Sequence, residues 1–285
     1  MSRLLMGLLA RLPLRLLHAM GSVLGWAMYG LSPTYRRHLR ENLALAGHDD
    51  RATRRAAIES AGRLLAELPA IWLRPRDEVA GLVRRVEGEA LIDAARAEGR
   101  AIVFLTPHIG CFEVAARAAA ARFPITVLYR APKLRWLQPF IERGRGGDNV
   151  RLASADLSGV RELMAALTRR EAVGILPDQV PGEGEGEWTE FFGKPAYTMT
   201  LGAKLATRPG LACFLAFGER LPRGAGYVVH VRPLPAAQPG ESAARHLNRA
   251  LEALIRDCPG QYLWGYNRYK RPKGAPTEPA DRGAA

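Results

Sequence analysis

Cysteine is scarce. Cys111, Cys213 and Cys258 are the three in 285 residues; they are odd in number, far apart, and none forms a CxxC pair. A disulfide framework and a thiolate zinc site are thereby excluded as organising features, and a reducing compartment fits. Histidine is scattered among them, so no metal site is expected. Acid is missing from the first 40 residues, which carry six arginines (Arg3, Arg11, Arg15, Arg36, Arg37 and Arg40) and no Asp or Glu. Long apolar runs are lacking too: the uncharged stretch Leu16–Leu31 has 16 residues, short of the roughly 20 that a membrane span needs. Aromatics are 7% of the chain and do not interleave with the basic residues of the N-terminus, which counts against nucleic acid as a partner. No Walker or EF-hand pattern occurs. "PGEGEGE" (181–187) has the glycines of a phosphate loop, but its three glutamates repel phosphate, and it reads as a mobile lid or solvated loop.

What is present is apolar and basic. Hydrophobic residues make up 48% and charged residues 24%, as in a globular chain, and the formal net charge is +13. Such an excess of cation suits a polyanionic partner, nucleic acid or an anionic membrane surface. The N-terminus favours the membrane. "LPLRLLHAMGSVLGWAMYGL" (12–31) is followed by basic "YRRHLR" (35–40), the flank expected at a cytoplasmic membrane face. This segment (1–33) either spans with Arg15 snorkelling or lies in the interface. A buried helix of a soluble fold is the plainer alternative. A cleaved signal peptide is disfavoured, because no small-x-small site follows the apolar run.

Residues 34–73 repeat apolar positions three and four apart and predict helices stopped before Pro75. Beyond them, short apolar runs alternate with helical stretches. The runs are 101–106, 125–130, 150–153, 172–177, 211–217 and 226–234, and a last helix is expected over 241–258. This alternation predicts an α/β fold on a central, largely parallel sheet flanked by helices. One catalytic unit over 34–273 and a disordered polar tail over 274–285 complete the expected organisation.

Within "LTPHIGCFE" (105–113), His108 follows a strand and Glu113 opens a helix. Five positions inside one helix would set the two side chains about 140° apart. They meet only if His108 precedes the helix and Glu113 lies in its first turn. A carboxylate on one imidazole nitrogen makes the ring a general base, with a hydroxyl as the natural target. The alternative is a hydrogen-bonded loop histidine and an ordinary helix-start acid. Cys111 offers a rival as a thiol nucleophile, disfavoured because it projects away from Glu113 and free cysteine is commonly buried.

"TPHIGCFE" resembles the H-x-x-x-x-D/E motif of the lysophospholipid acyltransferase superfamily, in particular its lipid A late acyltransferase branch. Three further blocks follow in the family's order: "LYRAPKLRWLQPFIERGRG" (128–146), "GILPDQVPGEGEGEWTEFFGKPAYTMTLGAKLA" (174–206) and "NRALEALIRDCPGQYLWGYNRYKRP" (248–272). The resemblance covers residues 1 to about 273. It implies a glycerol-3-phosphate acyltransferase-like fold with an N-terminal membrane-associated helix, at the cytoplasmic face of a bacterial inner membrane. It implies transfer of a lauroyl- or myristoyl-type chain from acyl carrier protein to a hydroxyl of a Kdo-bearing lipid A precursor. The donor is a phosphopantetheine thioester, and neither a metal nor a further cofactor is implied.

In that frame His108 is the general base and Glu113 orients it, with N–H groups near Gly110 stabilising the tetrahedral intermediate. Arg145, with Arg143 as its rival, and Arg130 of the "YR" pair are candidate substrate-binding cations; Asp178 of "PDQ" has a structural or substrate-positioning role. Cys111 and Phe112 depart from the family's Asn and Trp before the acid. "FFG" (191–193) reads as core rather than acyl pocket, and the basic, aromatic "WGYNRYKRPK" (264–273) as an interfacial footing. Two alternatives remain: another glycolipid or lysophospholipid acceptor, and a non-catalytic basic membrane-binding protein.

Overall fold

A computed structural model describes residues 2–131, 138–147 and 149–278; the side chains of Ser2, Arg3, Phe140 and Arg143 also lie outside the description. The chain builds a seven-stranded sheet from β1 (Val83–Glu87), β2 (Ala101–Leu105), β3 (Ile125–Tyr129), β4 (Val150–Ser154), β5 (Ala172–Ile175), β8 (Leu211–Arg220) and β9 (Tyr227–Pro233). Their spatial order is β1-β9-β8-β2-β5-β3-β4, and every neighbouring pair is parallel except β8 with β9. The predicted α/β class is the one found. Period-two alternation explains how both faces are covered. Ala101, Val103 and Leu105 of β2 enter one core, whereas Ile102 and Phe104 enter the other.

On the first face lie α3 (Pro33–Leu45), α9 (Leu157–Thr168), α10 (Thr200–Ala206) and α11 (Ala243–Asp257); on the second lie α5 (Arg76–Gly81), α6 (Glu89–Ala97) and α7 (Phe112–Ala120). α8 (Gln138–Arg145) stands near α7, and α4 (Arg51–Leu73) contributes to both cores. Helix starts carry their expected caps: the Asp50 carboxylate accepts from the N–H groups of Ala52 and Thr53, and Asp156 accepts from those of Ser158 and Gly159.

Three strands escaped the sequence reading. β1 is short and half-exposed. β6 (Gly186–Phe191) and β7 (Lys194–Met199) form an antiparallel hairpin, so the segment read as a lid or loop passes into a paired strand at Gly186. The tail also departs from its expected disorder where it is described, since Ala275 is buried and the Trp188 indole N–H donates to the Pro276 carbonyl. The C-terminal "WGYNRYKRPK" is not an interfacial footing throughout. Trp264 and Arg268 are buried, and the Arg268 guanidinium donates to the Tyr197 carbonyl and the Thr198 hydroxyl. "FFG" behaves as expected, with Phe191 and Phe192 in the core.

Residues 2–31 form two helices rather than one. α1 (Ser2–Arg11) and α2 (Leu14–Leu31) are broken at Pro13 and bent by 119°. No single helix among the described residues is long and apolar enough to cross a membrane; by length and composition this bent pair is. α2 buries Leu14, Leu17, His18, Gly21 and Gly25. It lies so close to α4 that a Cβ at Gly62 would stand 2.0 Å from the Gly21 carbonyl oxygen and 2.3 Å from the Gly25 nitrogen. Its other face leaves Val23 and Leu31 71% and 84% exposed.

Beneath the α2–α4 contact, the fully buried Glu67 carboxylate meets His18 Nε2 at 2.9 Å and accepts from the Arg220 guanidinium and the Tyr227 hydroxyl. Burial pushes this carboxyl up, but the Arg220 charge and the hydrogen bonds of His18 and Arg220 outweigh it and hold the group near a pKa of about 2.

Gly62→Ala should force the two helices apart against backbone atoms and cost about 1–3 kcal/mol, read as a lower melting temperature than wild type. A carboxyl depressed from 4.5 to about 2 stabilises the fold fully above its ordinary value and loses that contribution as pH falls through the folded one. Wild type should therefore lose on the order of 3 kcal/mol from this group across that window. Glu67→Gln, less stable throughout, should show a flatter acid dependence in thermal melts; an unchanged slope would refute the assignment.

Candidate active site

Parallel pairing sets Leu105 of β2 opposite Ile175 of β5, and the ladder continues with the Thr106 N–H donating to the Ile175 carbonyl. His108 and Asp178 each lie three residues beyond that matched pair. They consequently emerge side by side at the carboxyl edge of the sheet, the usual place for sites in open α/β folds. His108 Nδ1 is 2.8 Å from Asp178 Oδ1, and the His108 backbone N–H donates to Oδ2 at 3.0 Å. An ionised carboxylate only accepts, so Nδ1 carries a proton, and in the neutral ring Nε2 is then the nitrogen with the lone pair. That lone pair faces the Gln179 amide nitrogen at 3.2 Å. Phe112 closes one side of the ring edge-on, its centroid 4.8 Å away.

Asp178 is 2% exposed. Burial pushes its carboxyl up, but the adjacent His108 ring and the two hydrogen bonds from His108 reverse this and hold it below the ordinary aspartate range. Burial, aided by the Asp178 charge, raises the nearby Tyr262 hydroxyl well above its usual value and keeps it protonated.

Glu113 sits where the spacing argument put it, in the first turn of α7 after a break behind His108. Its hydrogen-bond partner is nevertheless Arg145, whose Nε donates to Glu113 Oε1 at 2.7 Å and whose Nη2 makes a second, shorter contact. The ring of His108 is thus oriented by Asp178, not by Glu113. Asp178 correspondingly serves as partner to the histidine rather than as a free substrate ligand. The reason is geometric: β5 delivers a carboxylate to Nδ1 directly, while α8 delivers a guanidinium to Glu113. Arg145 also lies over the Trp72 ring at 5.8 Å. The side chain of its rival, Arg143, lies outside the described residues, as do residues 132–137 of the "YR" block. Arg130 stays exposed beyond β3, its Nη2 3.9 Å from Glu185, and makes no hydrogen bond to His108, Asp178 or Glu113 among the described residues.

Gly110 adopts φ +58°, and a Cβ there would stand 2.0 Å from the Gly218 carbonyl oxygen. That conformation admits glycine. Of the N–H groups near Gly110, its own already donates to the Gln261 carbonyl at 2.9 Å and that of Cys111 to the Gly218 carbonyl at 2.7 Å. The N–H groups of Phe112 and Glu113, one turn on, have no intrahelical acceptor by position, and α7 has no side-chain cap. Cys111 is wholly buried, and burial together with Glu67 pushes its thiol well above the ordinary range. A thiolate nucleophile is excluded on both counts. Gln179 was missed in the sequence; its position next to Asp178 was the available signal.

Beside the site a narrow slot runs between α7 and the sheet. Phe112, Glu113 and Arg145 stand among its lining residues with Thr106 of the β2 edge, and Val127, Leu152 and Gly174 line it among the strands. It holds about 900 Å³ of non-atom space, its solvent-open part included. An imidazole base beside a mostly apolar slot can take a proton from a hydroxyl while an aliphatic chain is held alongside.

Fold and site together describe an acyltransferase arrangement on an α/β sheet. The family described as bacterial lipid A biosynthesis acyltransferase matches residues 3–271. The chain is 26% identical over 283 residues to the lipid A biosynthesis lauroyltransferase of Escherichia coli strain K12, covering 95% of this chain and 90% of that protein. It is 27% identical over 244 residues to the palmitoleoyltransferase of the same organism, covering 82% and 79%. A lipid A biosynthesis acyltransferase of Haemophilus influenzae is 24% identical over 67% of this chain and 58% of its own length. The chain belongs to the bacterial lipid A biosynthesis acyltransferase family, and its reaction is acyl transfer in lipid A synthesis.

Proposed function

We propose that the chain moves a lauroyl- or myristoyl-class acyl group from acyl carrier protein to a hydroxyl of a Kdo-bearing lipid A precursor, with His108 as general base. The carrying observation is the His108–Asp178 pair beside an apolar slot, with the imidazole Nε2 met, among the described residues, by the displaceable amide of Gln179. The acceptor hydroxyl replaces that amide and gives its proton to Nε2, and Asp178 stabilises the resulting imidazolium. The hydroxyl oxygen then bonds to the thioester carbonyl carbon. Charge builds on the carbonyl oxygen, near the first turn of α7, whose N–H groups stabilise it. Collapse breaks the carbon–sulfur bond, the imidazolium returns the proton to the leaving thiol, and an ester and a free phosphopantetheine thiol result. The donor brings its own phosphopantetheine.

The Glu113–Arg145 pair borders the slot and fixes its entrance, with the charges offsetting each other where substrate passes. Gly174 sits on β5 within the slot, where an added Cβ would meet Val127 Cγ2 at 3.4 Å. The acyl chain lies along this surface. Membrane seating at the cytoplasmic face of the inner membrane rests on the exposed Leu4, Leu5, Leu8, Val23, Trp26 and Leu31 of α1 and α2, an apolar face beside a basic N-terminus.

With acyl carrier protein thioesters and a Kdo-lipid A precursor, wild type should transfer acyl chains. His108→Ala and Asp178→Asn, folded and recovered equally, should lose roughly 10²–10⁴-fold in kcat. Active variants would sink the base assignment, whereas a wild type that acylates other acceptors alone would sink the substrate. Gly174→Val should lower transfer of the longer chains by on the order of 10-fold relative to shorter ones, consistent with the 1–3 kcal/mol cost of overpacking. An unchanged chain-length profile would place the acyl chain elsewhere.

A further inference from the structure

The backbone between the base and α7 is held at several points. The His108 carbonyl accepts from the Leu263 N–H at 3.0 Å, the Gly110 N–H donates to Gln261, and the Cys111 N–H donates to Gly218. The Gly110 carbonyl accepts from Arg220 Nη2 at 2.7 Å. Arg220 closes β8, and its side chain is 3% exposed. Its backbone is clamped in turn by the Gln261 amide, which accepts from the Arg220 N–H at 2.9 Å and donates to its carbonyl at 3.1 Å. The other guanidinium donors reach Ser60 Oγ at 3.0 Å and the Glu67 carboxylate at 2.5–2.9 Å. Glu67 also meets His18 of α2 at 2.9 Å. A continuous chain of buried polar contacts therefore runs from α2, whose outer face is exposed and apolar, through α4 to the loop that carries the base.

We propose that Arg220 is a positioning residue for His108, turning the Gly110 carbonyl inward, and that the His18–Glu67 contact couples this hold to the docking of α2. The planar, multiply donating guanidinium is what lets one side chain serve Glu67, Ser60 and Gly110 together; an ammonium on a single stem preserves the charge but cannot span all three. Gly110 sits at positive φ in a tight approach to β8, so release of its carbonyl frees the peptide two residues from the imidazole. None of these groups touches the reacting atoms, and their effect is on alignment alone. Seating α2 on α4 then becomes a condition for a well-aligned base.

This inference rests on the reading of His108 as base. The test compares purified full-length wild type, His108→Ala, Arg220→Lys, His18→Ala and His18→Gln, with folding checked by circular dichroism and thermal melts. Misalignment of a catalytic group by about an ångström costs up to about 100-fold. Per folded molecule, Arg220→Lys should accordingly lose about 10- to 100-fold in kcat and His18→Ala about 3- to 10-fold, with KM for the acyl donor within about twofold. His18→Gln, which restores an N–H toward Glu67, should recover most of the His18→Ala loss. If Arg220→Lys does not fold, the His18 pair decides. A dead His108→Ala alongside wild-type kcat in the folded Arg220 and His18 variants overturns the inference alone. Losses that track only the folded fraction do the same, while an active His108→Ala overturns it together with the base assignment.

Discussion

Parallel pairing of β2 with β5 is the constraint on which the active site depends. It matches Leu105 with Ile175 and carries both chains past the sheet edge by the same three residues, so that an imidazole and a carboxylate arrive together. A one-residue slip would turn one side chain to the opposite face and separate them. Burial then makes the contact specific. Asp178 has little water to turn to, so its negative charge is satisfied by the His108 ring and backbone, and the ring is locked in one tautomer.

Charges elsewhere follow the same logic of buried pairs. Glu113 is satisfied by Arg145, and Glu67 by Arg220, His18 and Tyr227. Each pair joins elements far apart in sequence: α7 to α8 in one case, α4 to β8 and α2 in the other. Removing one member would leave an unpaired buried charge, which is why such networks hold segments in one arrangement even where their net contribution to stability is small. The loop bearing His108 lies between these two pairs and the β2–β5 edge, and it inherits its geometry from all three.

The apolar slot and the N-terminal helices address two halves of one physical problem, handling a lipid from water. Small residues along β5 and α7, Gly174 and Ala115 among them, leave space next to the sheet. Close packing between α2 and α4 at Gly21, Gly25 and Gly62 turns the remaining apolar side chains of α2 outward. Glycine makes both possible, in one place by leaving a cavity and in the other by letting backbones touch.

Much of this was legible in the residues themselves. Alternating apolar runs marked five of the sheet's strands within a residue or two and a sixth, β8, short of its C-terminal end; Pro75 marked the end of α4, and His108 was correctly set at a strand's carboxyl end ahead of a helix. Those features are local, because periods of 2 and 3.6 residues and the special demands of proline are written along the chain. β1 and the β6–β7 hairpin carried weaker patterns, one half-exposed and the other opening out of a loop rich in glycine and glutamate. The partner of His108 was not legible, since Glu113 is five residues away and Asp178 is seventy. Sequence spacing can say that a carboxylate is able to reach a ring; only the neighbour relations of strands decide which one does. In the same way, composition by itself determined a basic, apolar N-terminus, while the tertiary structure decided that it bends at Pro13, packs one face on α4 and leaves the other uncovered. Hydrogen-bond partners across a sheet and between helices are set by long-range packing, and no local pattern encodes them.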